Sequence, residues 1–380
     1  NVGALSCIVQ HRKSGDTETA ALLLSDVRIE AGEPQTHNSP NIDVGVESVA
    51  PQSNNTENRS LVISAMSDSC AAAAGACSSR DGSAGGAMMT LVNTVHFSAT
   101  VNGSDSTIIA DSDNFAAAAA GVAIYSHFSS SIVISARASV SMYGMAAEGG
   151  LIEATANNAA VSVGIALYAS SSLPTKITIS EGANVTVVGW AAESGLISST
   201  VGHYAAAAVG ISFASASSIA SLTISANARL TISGSAAARG ATISATANSY
   251  TAVAVGIATF ASSKATVVIA EAARVTIVGW AAESGLIHAT AYNAAAATVG
   301  VALYGGSPTI TISEGASMVL LGWATQHASI QAVVTDNDAA AAVGMALFGS
   351  STASVVVSAG VTVTIFGCAT DNGSILSAPK

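Results

Sequence analysis

Residues 176–197 read KITISEGANVTVVGWAAESGLI, and residues 266–287 read TVVIAEAARVTIVGWAAESGLI. Each contains two short runs in which Ile or Val alternates with Thr or Val. The runs are Ile177-Thr178-Ile179 and Val185-Thr186-Val187 in the first copy, and Val267-Val268-Ile269 and Val275-Thr276-Ile277 in the second. Alternation of apolar and small polar residues with a period of two marks a β-strand with one face in a core. Segments such as Glu181-Gly182-Ala183 and Glu314-Gly315-Ala316 separate the runs and have turn composition.

Working outward, the same unit fills most of the chain. A Gly closes the second run at Gly144, Gly189, Gly234, Gly279, Gly322 and Gly367, at intervals of 45, 45, 45, 43 and 45. Another Gly opens a further apolar stretch at Gly121, Gly164, Gly210, Gly256, Gly300 and Gly344. That stretch ends in an aromatic (Tyr125, Tyr168, Phe260, Tyr304 and Phe348, with Phe213 in a shortened copy), which predicts a stacked aromatic ladder. A fourth stretch, Leu151-Ile152, Leu196-Ile197 or Leu286-Ile287, runs on toward Ala-rich segments such as Ala205–Ala208. Helix competes for those alanines. The neighbouring Val-Gly, the Ser and Thr content and the lack of Lys or Glu on any helical face favour strand.

A fixed period of this length predicts a solenoid, in which each unit buries its apolar face only against its neighbours. The predicted fold is all-β: a parallel β-helix of about eight repeats. Residues 1–110 form less regular coils with a loop inserted at about 33–60, and residues 111–380 form the regular coils. Forty-five extended residues would enclose a perimeter of roughly 150 Å, at about 3.3 Å per residue. Small side chains would not fill so wide a section, so two rungs per repeat are expected. A tandem array of sandwich domains is the rival, but the repeat is short for one.

Composition narrows the function. Half of the 380 residues are apolar, 9% are charged and 4% aromatic, with a net charge of −11. This is too apolar for disorder, and the acidity disfavours nucleic acid and anionic membranes as partners. No apolar run reaches the ~18 residues of a membrane span. The chain starts at Asn1 without a leader, as expected of a processed secreted product or an excerpt.

Candidate sites are few. Sequons at Asn54, Asn58, Asn102, Asn184 and Asn372 suggest N-glycosylation of a secreted chain. Of the four cysteines (Cys7, Cys70, Cys77 and Cys368), Cys70 and Cys77 are close enough for a local disulfide, with buried free thiols as the alternative, and Cys368 stands apart. Trp190, Trp280 and Trp323 share one position in the repeat, replaced elsewhere by Met145, Ser235 and Cys368. A row of Trp can bind sugar rings, form an interface, or pack as a ladder beneath a turn. The acidic series Glu148, Glu193, Glu283 and Asp371 is broken by Ala238 and Gln326, and with two rungs per repeat its members would lie about 9.6 Å apart, too far to share a proton. The seven His fall at unrelated phases, no nucleophile elbow appears, and no clustered carboxylates break the repeat. No enzyme activity, cofactor or metal is expected. Outward Thr rows (Thr186, Thr231, Thr276, Thr364 and Thr178, Thr223, Thr311) suggest an ice-binding array, but Val319 interrupts the first and Val268 and Val356 the second.

The segments Ala160-Val161-Ser162-Val163-Gly164-Ile165-Ala166-Leu167-Tyr168 and Ile177-Thr178-Ile179-Ser180-Glu181-Gly182-Ala183 resemble repeats of the kinetoplastid dispersed-gene-family surface proteins. The likeness covers about residues 110–380. It implies a pectin-lyase-like β-helix and an extracellular or cell-surface glycoprotein, and it carries over no catalytic residue. The chain enters at Asn1-Val2-Gly3 in repeat phase and stops after Ser374-Ile375-Leu376, with no recognisable cap at either end. Uncapped solenoid edges pair, so the expected function is structural: an extracellular rod self-associating head to tail into a fibril or appendage. The alternative is a surface adhesin that binds glycans through the Trp row.

Overall fold

The computed structural model describes residues 8–12, 20–31, 62–67, 70–80, 87–103, 106–112, 116–126, 129–170, 173–216, 219–334, 339–349 and 351–379. Every regular element among them is a β-strand, and every pairing is parallel. The inserted loop at 33–60 and the Asn1-Val2-Gly3 entry lie outside the described residues.

One coil shows the plan. The 11-residue strand Ala159–Ala169 is followed by Thr175–Ile179, Asn184–Ala191 and Leu196–Val201, and the next coil begins at Ala205–Ser215. Like strands stack into three sheets. A bent sheet contains the Ala159–Ala169 type, a narrow sheet the Leu196–Val201 type, and a broad sheet both of the others. The strand Ala87–Asn102 joins the two halves of the broad sheet, pairing with Ser130–Ile134 at one end and Ser139–Ala147 at the other.

Register fixes the number of rungs. Gly164 pairs with Gly210, Ile177 with Leu222, Gly189 with Gly234 and Ile197 with Ile243. Each residue therefore meets its equivalent in the next repeat, and one repeat makes one rung. The expectation of two rungs per repeat is corrected. Its premise was that small side chains could not fill so wide a section.

The wall instead folds inward at the bent sheet. Along Ala116–Ser126 the main core receives Ala117, Ala119, Ala120, Val122 and Ile124, while Ala116, Ala118, Ala123 and Tyr125 belong to a second buried cluster. Two consecutive inward residues, Ala119 and Ala120, break the alternation just before Gly121. In the strand Ala205–Ser215 the Ser212 hydroxyl donates to the carbonyl of Ala205 at 2.6 Å. Seven residues of straight strand would separate these groups by about 23 Å. The strand is thus doubled back into a V whose apex points into the core and whose arms clasp a narrow groove of alanines. The Ala run and the Val-Ala-Ile-Tyr stretch belong to one strand, bent at its Gly, and helix is excluded there.

The two glycine rows make this shape possible. At the apex, Gly121, Gly164, Gly210, Gly256 and Gly300 have φ between 137° and 149°, and an added Cβ would fall on the carbonyl oxygen of the next apex Gly. Across the core, a Cβ on the closing Gly144, Gly189, Gly234, Gly279 or Gly322 would strike the apex valine Val163, Val209, Val255, Val299 or Val343. The wedge of the bent sheet seats its valines against the bare backbone of the broad sheet. That is how small side chains fill a 45-residue turn.

The groove mouth is closed by aromatics. Tyr125 stacks on Tyr168 (5.9 Å), Phe260 on Tyr304 (5.1 Å) and Tyr304 on Phe348 (5.6 Å). The ladder was expected to include Phe213, but Phe213 points into the main core, in register with Leu167 and Thr259. The ladder position in that rung is Ala214. Tyr204, from the other lip of the groove, fills the gap, 5.7 Å from Tyr168 and 4.4 Å from Phe260. Burial in this stack raises the Tyr168 hydroxyl pKa, with Tyr204 adding to the effect.

Candidate functional surface

The outer face of the broad sheet carries the residues singled out in the sequence. Strands such as Asn184–Ala191 put Val185, Val187, Gly189 and Ala191 inward, so Asn184, Thr186, Val188 and Trp190 point out. Stacking at one rung per repeat turns these into four rows about 4.8 Å apart along each row. The tallest reads Met145, Trp190, Ser235, Trp280, Trp323, Cys368. Beside it runs Tyr143, Val188, Ser233, Val278, Leu321, Phe366, then the low row Ser141, Thr186, Thr231, Thr276, Val319, Thr364. The fourth is Ser139, Asn184, Arg229, Arg274, Ser317, Thr362.

Trp190 is 42% and Trp280 51% exposed, large values for indoles on a regular sheet. Trp323 is half-buried and tilts against Phe366, ring centroids 6.1 Å apart. The Trp residues stand on the open face and are not packed beneath a turn. The Thr rows share this face and are interrupted where the sequence indicated.

The turn after the Trp row holds the acidic series. Glu148, Glu193, Glu283 and Asp371 adopt φ of 46–51°, and the Gly149 amide donates to the Glu193 carbonyl at 3.0 Å. Glu148 and Glu193 therefore lie one rung apart, about 4.8 Å and not 9.6 Å. Among the described residues, no three His, Cys, Asp or Glu side chains could hold a metal ion.

Of the sequons, Asn184 is exposed on the outer face and Asn372 is exposed in a turn. Asn102 ends the strand Ala87–Asn102, and Asn54 and Asn58 lie outside the described residues. Cys77 is disulfide-bonded and fully buried, and Cys368 is free. In register, Cys70 and Cys77 take the places of Ala116 and Ala123, one on each arm of the V.

Sequence reasoning missed two polar features. His96 and Ser141 are adjacent in the low row, Nδ1 to Oγ 2.7 Å, with Arg28 in register on the other side of His96. With Val27 and Thr94 they line a recess of about 390 Å³ at the N-terminal end of the broad sheet. Only the one-rung register reveals this, since the three residues are scattered in the chain.

On the narrow sheet, burial first and then the Asp111 charge raise the Glu153 pKa. Burial also holds the His288 imidazole below the ordinary histidine value of about 6.5. The folded chain then binds fewer protons at this site than the unfolded chain, so stability is intact above pH 6.5 and falls as the pH drops through it. His288→Gln copies Gln331 one rung on. Its melting temperature is expected to fall less than that of the parent between about pH 7.5 and pH 5, in paired thermal scans.

No helix among the described residues is long and apolar enough to cross a membrane. Comparison of the chain with protein-family models, curated proteins and solved structures finds no match in any of the three.

Proposed function

We propose that the chain is an extracellular structural protein, a β-solenoid rod that lengthens into a fibril or surface appendage by seating rung on rung. The stacking itself carries this reading: each coil seats on its neighbour through parallel backbone pairing in three sheets, equivalent residue on equivalent residue. In residues 1–380, Ile365 belongs to the last of these coils, in register with the buried, core-facing Leu320.

A coil edge combines a row of backbone N–H and C=O groups with an apolar interior and is a template for another rung, which in this reading a second copy supplies. The two edges of a parallel stack differ, so a contact between them is heterologous and need not close. The likeness of the repeats to kinetoplastid dispersed-gene-family proteins supports a cell-surface setting.

Negative-stain imaging and sedimentation of residues 1–380 test the proposal. The parent is expected to form long fibres, and Ile365→Asp short rods, since a carboxylate would be buried unpaired in the joint. Short rods of uniform length from the concentrated parent would end the fibril reading. A glycan-binding adhesin is the second reading, favoured by the exposure of Trp190 and Trp280.

A further inference from the structure

We propose that Tyr250 and Tyr304 are an oxidative cross-linking site, where a peroxide joins the two phenols as dityrosine and staples adjacent coils across the groove mouth. The link lies within one chain and does not require the rods to lengthen.

Register brings the pair together. Tyr250 directly precedes the strand Thr251–Ala261 and repeats the lip position of Tyr204, since the Thr251 amide donates to the Tyr204 carbonyl at 2.8 Å. Tyr304 lies near the end of Ala295–Gly305, on the opposite lip of the next coil, in register with Phe260. The two phenol rings are 4.9 Å apart between centroids, with their planes at 45°. Phe260 braces both, at 4.4 Å from Tyr250 and 5.1 Å from Tyr304. A bond between these tyrosines therefore joins two coils and two lips at once.

Geometry singles out this pair within the ladder. Phenols coupled through their ortho carbons sit edge to edge with twisted planes. Tyr125–Tyr168, Tyr168–Tyr204 and Tyr204–Tyr250 are instead stacked, 5.7–5.9 Å apart with planes at 9–14°. Access points the same way. Tyr125 and Tyr168 are buried, whereas Tyr250 and Tyr304 are half-buried, so water can take the protons that oxidation releases. Burial also strengthens the hold of Tyr168 on its own proton. Phe260 has no hydroxyl to oxidise, so radicals formed beside it settle on the two tyrosines.

The chemistry balances with hydrogen peroxide, activated by a haem catalyst, as the oxidant. Each phenol loses one electron and its hydroxyl proton, giving two phenoxyl radicals. A carbon–carbon bond then forms between one ortho carbon of each ring. Each of those carbons sheds its hydrogen as a proton, and each oxygen takes a proton back. The two electrons and two protons lost overall convert one peroxide to two waters.

Brief treatment of the dilute full chain with hydrogen peroxide and a small haem peptide tests the site. Mass mapping of the monomer is expected to find Tyr250 joined to Tyr304, lighter by two hydrogens, with dityrosine fluorescence and a raised melting temperature. Tyr250→Phe and Tyr304→Phe should each abolish that link with circular dichroism unchanged, because Phe260 and Phe348 already place phenyl rings in the ladder. Tyr292→Phe, at a tyrosine 47% exposed, should leave it intact. Coupling mainly through Tyr292, mainly between Tyr204 and Tyr250, or mainly between chains would overturn the proposal. So would an equal yield of the link from chain unfolded in guanidinium, an unchanged melting temperature, or an unlinked chain under conditions that couple free tyrosine.

Discussion

Replacing Gly256 with Ala is expected to lower stability by about 3–5 kcal/mol, combining left-handed backbone strain with overpacking. Its φ is 145°, and a methyl group there would fall on the carbonyl oxygen of Gly300 and press on Val253. The collision is with backbone shared by two rungs, so neither can yield alone. Gly344→Ala is the control. Gly344 has φ of 140°, yet a Cβ there meets only Ile365 at 3.7 Å and Ala341 at 4.0 Å. In the unassembled chain of residues 1–380 it should cost only the strain, about 1–2 kcal/mol. Guanidinium titrations of both variants decide the matter, and equal losses would mean that the wedge apex is not sterically closed.

The second large effect is expected at Ala207. It belongs to the cluster inside the V, with Ala205 and Ala214, and is fully buried. The Ser212–Ala205 hydrogen bond shows how near the two arms approach. Leu in place of Ala207 has nowhere to go, and a loss of about 3 kcal/mol is expected from overpacking. In a helix the same change would be almost neutral. A denaturation midpoint for Ala207→Leu close to the parent's would contradict the folded-back strand.

Much of the architecture was legible in the chain. The alternation through Ile177-Thr178-Ile179 and Val185-Thr186-Val187 falls in strands with those Ile and Val residues inward. The inward fold was not legible, because period-two reasoning assigns one buried face to a strand. Ala159–Ala169 is buried throughout, and a run of small residues has no alternation to read. The misplaced Phe213 was recoverable by counting. Tyr125, Tyr168, Phe260, Tyr304 and Phe348 all follow their apex Gly by four residues, and Phe213 follows Gly210 by three. One step along a strand changes the face.

The surface was legible in part. Trp190 shares parity with Thr186, so both had to point the same way, and an outward Thr row implied an outward Trp row. The charged neighbours needed the three-dimensional register. Arg229 and Arg274 become adjacent only when one repeat makes one rung. The His96–Ser141 pair emerges for the same reason.

The apex glycines also bear on how such a gene can change length. Each is constrained by its own coil and the coil beside it, never by a distant part of the rod. Excising residues 211–256 would join Gly210 to Ile257, the same Gly-Ile junction found at Gly256, and every coil would still rest on one of its own kind. Loss of half a unit would set an apex against a straight wall. The unit thus permits a change in copy number by whole coils, but not a change of phase.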